Sequence, residues 1–472
     1  MPGAVYDGSV VTQLSGIDAA FLSLESSTGH LQGVGVVRLA AGAEPLGLDE
    51  LISLVDGRMS RLDLLHRQLV TVPAGLDNPY WIDVEPDLSK HIRAHQLPEG
   101  GDPADFEQFC AGLAGTPIDR SAPMWEFWLV DGLAGGGQAL VIKLHHSLCD
   151  GIGSLALIAQ LFDTHPEPVA PEEDAPCPTE APPSTPWLLG QGLLHGLRRP
   201  FDLLSAAVEL VASAGRLRGT VASQAGVDLA APLATPHLSY HGSVTGERSI
   251  VFRDLPLDRV KGIAHASGTR VNDVILTVLA GTLRRWLLLH DELPDQPLVA
   301  AVPVSTRGQD ELFEPGNHVS ACFVHLPTNL DDPRERLEVT AAVAAGGKAV
   351  HAAVGPATLA RLTSLAYPLV LAAPTELYHR AGAAGAHPAP VNLVVSNVPG
   401  PSFDLFIAGR PAEAFYALGP IFDGVALNIT AISFQGVLGF GYVTCPSRLG
   451  DLTTLADGQE EALEELAGAY GI

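Results

Sequence analysis

The chain has 472 residues, 47% hydrophobic against 17% charged, more than a single hydrophobic core usually serves, so two core-forming domains are expected. Its 53 acidic and 27 basic residues leave a formal net charge of −26, which repels polyanions at long range and excludes DNA and RNA as main partners. The five cysteines, Cys110, Cys149, Cys177, Cys322 and Cys445, form no CxxC pair, which argues against a disulfide framework and a structural zinc site and fits a reducing, cytoplasmic setting.

The opening stretch MPGAVYDGSVVTQLSG lacks a basic segment followed by an apolar core, so no signal peptide is expected. No apolar run reaches membrane-spanning length, and any membrane contact is expected at the surface. GVGVVRLA (33–40) and QALVIKL (138–144) have strand composition, whereas LDELISLVDGRMSRL (48–62) has helical spacing. This mixture predicts an α/β or α+β N-terminal domain over residues 1–163.

Residues 164–187, THPEPVAPEEDAPCPTEAPPSTPW, are rich in proline and acid. Proline fixes φ and removes a donor, so an extended linker is expected. Residues 188–240 follow as an apolar helical segment that carries Arg198 and Arg199 and is interrupted at Pro200. In the remaining stretch, 241–472, RSIVFRDL reads as a strand and LDRVKGIAHAS as a helix stopped by Gly268. VNDVILTVLAGTLRRWLLLH reads as a longer helix burying Val271, Val274, Ile275, Val278 and Leu279. Strands resume at PLVAAVPVS, HVSACFVHL, PVNLVVSNV, VALNITAISF and LGFGYVTC.

The chemistry concentrates in KLHHSLCDGIG, residues 143–153, on the connection between a strand and a helix. Neighbouring strand residues point to opposite faces, so if the strand persists, His146 shares a face with Leu144, Ile142 and Leu140, and His145 falls with Lys143 and Val141. Rings that diverge are poorly placed to bind one metal ion together, and no metal is expected. On the more apolar face, His146 is the candidate general base, because burial keeps an imidazole neutral and able to accept a proton. The competing role is a buried histidine satisfied by a carbonyl. Asp150 has two readings, a helix N-cap or a loop support paired with an arginine elsewhere. Gly151 suits close backbone approach or a left-handed turn.

HHSLCDG matches the HHxxxDG signature of the CoA-dependent acyltransferase superfamily. LSGIDAAFLSLES, APMWEFWLVDGL, VNDVILTVLAG, VPVSTRG, GNHVSACFVHLPT and SNVPGP resemble segments of one branch, the bacterial wax ester synthase/diacylglycerol acyltransferases. Met124 stands where that family usually has leucine, a size-conserving change. The resemblance implies two chloramphenicol-acetyltransferase-like subdomains with a reaction channel between them. It implies acyl-CoA as co-substrate with no bound cofactor, diacylglycerol or a fatty alcohol as acceptor, and His146 as the base, and with such lipid substrates a cytoplasmic enzyme that visits the inner membrane face or lipid inclusions is expected. His145 would be a packing or positioning residue.

Acyl transfer also requires an oxyanion donor. The Gly151 N–H, Asn272, Ser396 and Asn397 are the candidates, against plainer roles as a helix cap for Asn272 and turn formers for the other two. Arg307 matches the position that would pair with Asp150. Pro123 and Trp125 are candidates to line the channel, although an aromatic on a strand also suits the core. Two other functions fit the motif less well: an acyltransferase for another alcohol or a carrier-bound donor, and a condensation-like module that has lost its chemistry.

Overall fold

The computed structural model describes residues 3–6, 9–42, 44–167, 179–198, 200–201, 204–205, 230–307, 316–354 and 375–472. Most of the Pro-rich stretch, with Cys177, and residues 206–229 of the apolar helical segment lie outside the described residues.

In chain order the strands are β1 (Gly3–Tyr6), β2 (Ser9–Gln13), β3 (Gln32–Leu39), β4 (Arg67–Val70), β5 (Tyr80–Asp83), β6 (Ile92–Gln96), β7 (Trp125–Leu133) and β8 (Gly137–His145). They continue as β9 (Ser249–Pro256), β10 (Leu298–Ser305), β11 (Val319–Leu326), β12 (Leu393–Val398), β13 (Phe406–Ile407), β14 (Arg410–Leu418), β15 (Leu427–Phe434) and β16 (Val437–Thr444). The first half also carries helices α1 (Gly16–Ser23), α2 (Leu48–Asp56), α3 (Leu88–His91), α4 (Pro103–Gly115) and α5 (Gly151–Leu161). The helix expected over 48–62 ends at Asp56 before Gly57 and gives way to 3-10 turns at Met59–Arg61 and Asp63–His66.

Two six-stranded sheets dominate, in the orders β13-β14-β3-β8-β7-β6 and β11-β10-β12-β15-β16-β9, beside a four-stranded sheet β1-β2-β5-β4. The fold is mixed α/β, as the alternation of elements predicts. The sheets do not divide where the Pro-rich seam divides the sequence. β14, more than two hundred residues past the seam, lies antiparallel to β3 with Tyr416 opposite Val36. It also packs on the second sheet, where a methyl group added at Gly439 or Gly441 would stand 2.3 Å from the Phe415 or Ala417 carbonyl oxygen.

β8 runs through the middle of its sheet, and all nine of its residues are buried. A strand covered on both faces reads as a continuous apolar run, which is why QALVIKL shows little polar alternation. Leu140, Ile142 and Leu144 pack with Trp125, Phe127, Leu157 and Leu161. Ala139 and Val141, on the other face, pack with Phe106 and Leu113 of α4 and with Val443 of β16. Burial of each such side chain contributes about 1.5–3 kcal/mol. Apolar contacts therefore hold the end of β8, where the motif begins, against elements from both halves of the chain.

The second sheet packs against the helices Val271–Leu289 and Leu452–Tyr470. Val274, Ile275, Val278 and Leu279 are buried as their spacing predicts, whereas Val271 in the first turn is only half-buried; Thr277, Ala280, Gly281 and Thr282 are buried as well, because helices cover the other sides. Among the described residues, no helix is long and apolar enough to cross a membrane.

Candidate active site

The ladder between β3 and β8 ends where Gln32 faces His145. Strand alternation therefore stops at His145, and His146 belongs to the following turn, its N–H donating to the Leu31 carbonyl at 2.9 Å. The two rings still part, but for a local reason rather than by strand pleat. His145 Nδ1 accepts the Ser147 N–H at 3.0 Å and lies 2.7 Å from the Ser147 hydroxyl. Its Nε2 is 3.2 Å from Glu25 Oε1, within ion-pair distance but off the hydrogen-bond line. Glu25 Oε1 also accepts the Leu31 N–H at 2.6 Å, and Oε2 meets Arg120. Burial pushes the Glu25 carboxyl up, but His145 and Arg120 outweigh it and hold its pKa at about 2.

Of residues 141–150, His146 alone keeps accessible surface; every other one is buried. Its imidazole stacks on the Phe21 ring of α1, with centroids 5.3 Å apart. A side chain at Gly33 would place its Cβ 3.4 Å from Nε2, so the missing side chain leaves that nitrogen uncovered. Burial lowers the His146 pKa to about 4, helped by His145 and opposed by the Asp150 charge and a backbone bond to Cys149. Near neutral pH the ring is uncharged and able to accept a proton.

Asp150 divides its carboxylate. Oδ1 accepts the Gly153 N–H at 2.8 Å and caps α5. Oδ2 accepts the His318 N–H at 2.8 Å and faces Arg307 Nη2 at 3.2 Å and Nε at 3.3 Å. The two roles considered for this residue are thus compatible. Arg307 Nη2 also donates to the Gly316 carbonyl at 2.6 Å, and Gly316 bridges to Cys149. Beside it, Asn317 Nδ2 donates to the His146 carbonyl at 2.6 Å and to Asp18 Oδ1 at 2.7 Å. Residues 316–318 of the second half therefore run along the histidine turn.

The remaining candidates fall into two groups. Gly151 starts α5, and a Cβ there would lie 3.3 Å from a Val398 methyl, which brings the helix N-terminus to the end of β12. Ser396 and Asn397 precede that valine, and Asn397 Nδ2 donates to Asn272 Oδ1 at 3.2 Å. Asn272 does not cap its helix; Asp273 does, accepting the Arg270 N–H at 3.0 Å. Pro123 and Trp125, the residues expected along a channel, lie inside the protein. Pro123 is buried, and Trp125 is fully buried in the core, stacked on His91, its indole N–H donating to the Leu65 carbonyl at 2.8 Å. On a strand covered on both faces, the indole satisfies its donor inside the protein.

Asp18, Phe21, Glu25, Gly33, Asn317 and His318 were not singled out by sequence reasoning. All except Gly33 sit inside the segments LSGIDAAFLSLES and GNHVSACFVHLPT, whose likeness to family segments was the available signal.

Comparison with known proteins identifies the family. Residues 14–275 match the model of the wax ester synthase/diacylglycerol acyltransferase catalytic domain, and residues 315–467 match that of the WS/DGAT C-terminal domain. The "probable diacylglycerol O-acyltransferase tgs2" of Mycobacterium tuberculosis is 32% identical over 462 residues, 96% of this chain and 98% of its own length. The solved wax ester synthase/diacylglycerol acyltransferase of Marinobacter aquaeolei superimposes with a TM-score of 0.67 at 25% identity, covering 98% of this chain and 100% of that one. The first condensation domain of the calcium-dependent antibiotic synthetase shares the fold, with a TM-score of 0.59 at 16% identity over 98% of this chain and 97% of its own. The matched domains and the full-length relatives place this chain in the wax ester synthase/diacylglycerol acyltransferase family.

Proposed function

We propose that this acyl-CoA-dependent O-acyltransferase moves long-chain acyl groups to diacylglycerol, a fatty alcohol, or both, with His146 as general base. His146 Nε2 removes the proton of the acceptor hydroxyl as its oxygen attacks the thioester carbonyl carbon. The tetrahedral oxyanion collapses, the C–S bond breaks, and the imidazolium returns its proton to the CoA sulfur. A positioned base of this kind contributes roughly 10²- to 10⁴-fold in rate. The observation that carries this reading is the accessibility of His146 in an otherwise buried motif, with a ring held neutral. The α5 N-terminus at Gly151, which meets the end of β12, and Ser396 with the Asn397–Asn272 pair are the candidate donors to the oxyanion. Asp150 and Arg307 act as the structural pair that holds the turn.

Labelled palmitoyl-CoA, supplied to the purified protein with diolein or hexadecanol, tests the reading beside His146→Ala. Ester formation by wild type well above the mutant supports it. Equal, background-level product with both acceptors overturns it and leaves a different alcohol, a carrier-bound donor or a binding module.

A second observation concerns how lipid is reached. The helical residues 185–198 dock on the body through Leu188 and through His195 Nδ1, 2.5 Å from Asp77 Oδ2. Leu193 and Leu197, one turn apart on that helix, and Phe201 and Leu204, past Pro200, form an apolar stripe along this segment and remain between 64% and 74% exposed. We infer that this stripe rests on a neutral lipid surface, since the large negative charge opposes anionic lipid. Co-flotation with phosphatidylcholine-coated triolein droplets, weakened at least several-fold by Leu197→Glu with Phe201→Glu, is the expected result; unchanged flotation would rule the stripe out.

A further inference from the structure

We propose that α1 is the positioning element of the reaction: Phe21 orients the His146 ring, while Asp18, acting through Asn317, holds the His146 main chain. This rests on the reading of His146 as the base and adds which residues aim it.

Two contacts from different elements reach His146, one on its ring and one on its carbonyl, and Asp18 stands behind the second. Asp18 is fully buried, and its Oδ2 accepts the Ser15 N–H at 3.3 Å in a capping box at the start of α1. Its Oδ1 accepts both the Asn317 main-chain N–H at 3.1 Å and Nδ2 at 2.7 Å. The second Nδ2 hydrogen goes to the His146 carbonyl at 2.6 Å. Both neighbours of that amide group are acceptors only, so its nitrogen, not its oxygen, faces them. Asn317 is itself buried. Phe21, three residues after Asp18, lies on the same side of the helix and stacks on the imidazole at an interplanar angle of 22°.

The need for such support follows from the chain path. His146 has left the β3–β8 ladder, so its carbonyl lacks a strand partner. Without the Asn317 bond, the turn is held at His146 by its N–H to the Leu31 carbonyl and by the ring's bond to the Cys149 backbone, which leave the carbonyl side of the residue less constrained beside Gly33. A base displaced by about 1 Å costs on the order of 10²-fold in rate.

The test is a set of rates and a mutant cycle. Phe21→Leu, Asn317→Ser and Asp18→Asn are measured for kcat and KM with palmitoyl-CoA and diolein or hexadecanol, with circular dichroism to establish folding. Each is expected to lower kcat about tenfold to 10²-fold with KM for acyl-CoA within twofold of wild type. In the His146→Ala background the same changes should have no further effect. Phe21→Tyr, which keeps the stacked ring, should recover most of the rate. If Asn317→Ser does not fold, the Phe21 pair carries the test. Wild-type kcat in the Leu and Ser variants beside an impaired His146→Ala overturns this proposal alone. A raised KM at constant kcat overturns it too, by making these residues substrate contacts. Full activity of His146→Ala overturns the assignment of the base, and this proposal with it.

Discussion

Arg307 Nη2 stands 3.2 Å from Asp150 Oδ2, with the two side chains 1% and 7% exposed. This pair ties the loop after β10 to the N-cap of α5. Removing one member of a buried, hydrogen-bonded ion pair leaves the other charge without compensation, typically costing about 3–5 kcal/mol. Arg307→Ala is therefore expected to lower the unfolding free energy by about that much in urea titrations. Asp150→Asn, which keeps a cap oxygen but not the charge, is expected to cost less than Asp150→Ala, since the cap alone is worth about 1 kcal/mol. A loss below about 0.5 kcal/mol for Arg307→Ala, the order of a surface substitution, would show that the pair does not support the loop.

The pH dependence follows from the His146 ring. Its folded-state pKa is about 4, below the ordinary value of about 6.5 that applies when the chain unfolds. Between those values the unfolded chain binds the extra proton, so stability is full above about pH 6.5 and is lost as pH falls toward 4. Between pH 7 and pH 5 wild type should lose about 2 kcal/mol more than His146→Gln, read from urea midpoints. Because His241 shifts in the same direction for the same cause, burial, both proteins will also show a common loss. In activity, kcat/KM should stay level from about pH 7.5 to pH 5.5, without an inflection near 6.5. An inflection there would mean that the base is solvated like a free histidine.

Gly33 offers a sharper handle on the same ring. A methyl placed at its Cβ would reach 3.4 Å from His146 Nε2, ordinary contact distance, while the two further carbons of valine would reach over the nitrogen. Gly33 lies in β3, where β-branched residues suit the backbone. Gly33→Ala is expected to fold and to retain much of the activity. Gly33→Val should fold as well but lose at least about tenfold in kcat/KM, by blocking the acceptor hydroxyl. Comparable activity in the two variants would place the acceptor on another side of the ring.

What was legible in the sequence follows what each pattern physically encodes. The strand–turn–helix around HHSLCDG was legible because its strand is apolar and its helix opens on an Asp-Gly pair. The same holds for the helix Val271–Leu289, whose buried face has helical spacing. β14 was not, because its pairing with β3 depends on a partner some 380 residues away in sequence, a distance that local patterning cannot express. Trp125 had both a channel and a core reading in the sequence, and its place in the core shows only once the Leu65 carbonyl and the covering side chains are in view. Asp18 and Asn317 were silent for the same reason as β14. A capping residue and a loop asparagine acquire their role only once α1 and the loop before β11 meet at His146.

That dependence on long-range contact gives a last prediction, at the junction of the sheets. β16 passes β14 so closely that a methyl group at Gly441 would lie 2.3 Å from the Ala417 carbonyl oxygen and 2.7 Å from a Leu418 methyl. Real Cβ atoms do not approach backbone oxygen that closely, so one sheet must shift. Both β14 and β16 are strands of extended sheets and cannot move alone. Gly441→Ala is thus an overpacking change with little room for relief, and such changes cost typically about 1–3 kcal/mol. It lies outside the histidine turn, yet β14 is paired to β3, which ends beside His146. Lowered thermal stability together with lowered kcat is expected, whereas Gly436→Ala in the open hairpin turn, where nothing stands within 4 Å but φ is +82°, should cost stability through backbone strain and leave kcat intact. Equal kcat in the two variants would mean that the sheet junction does not reach the base.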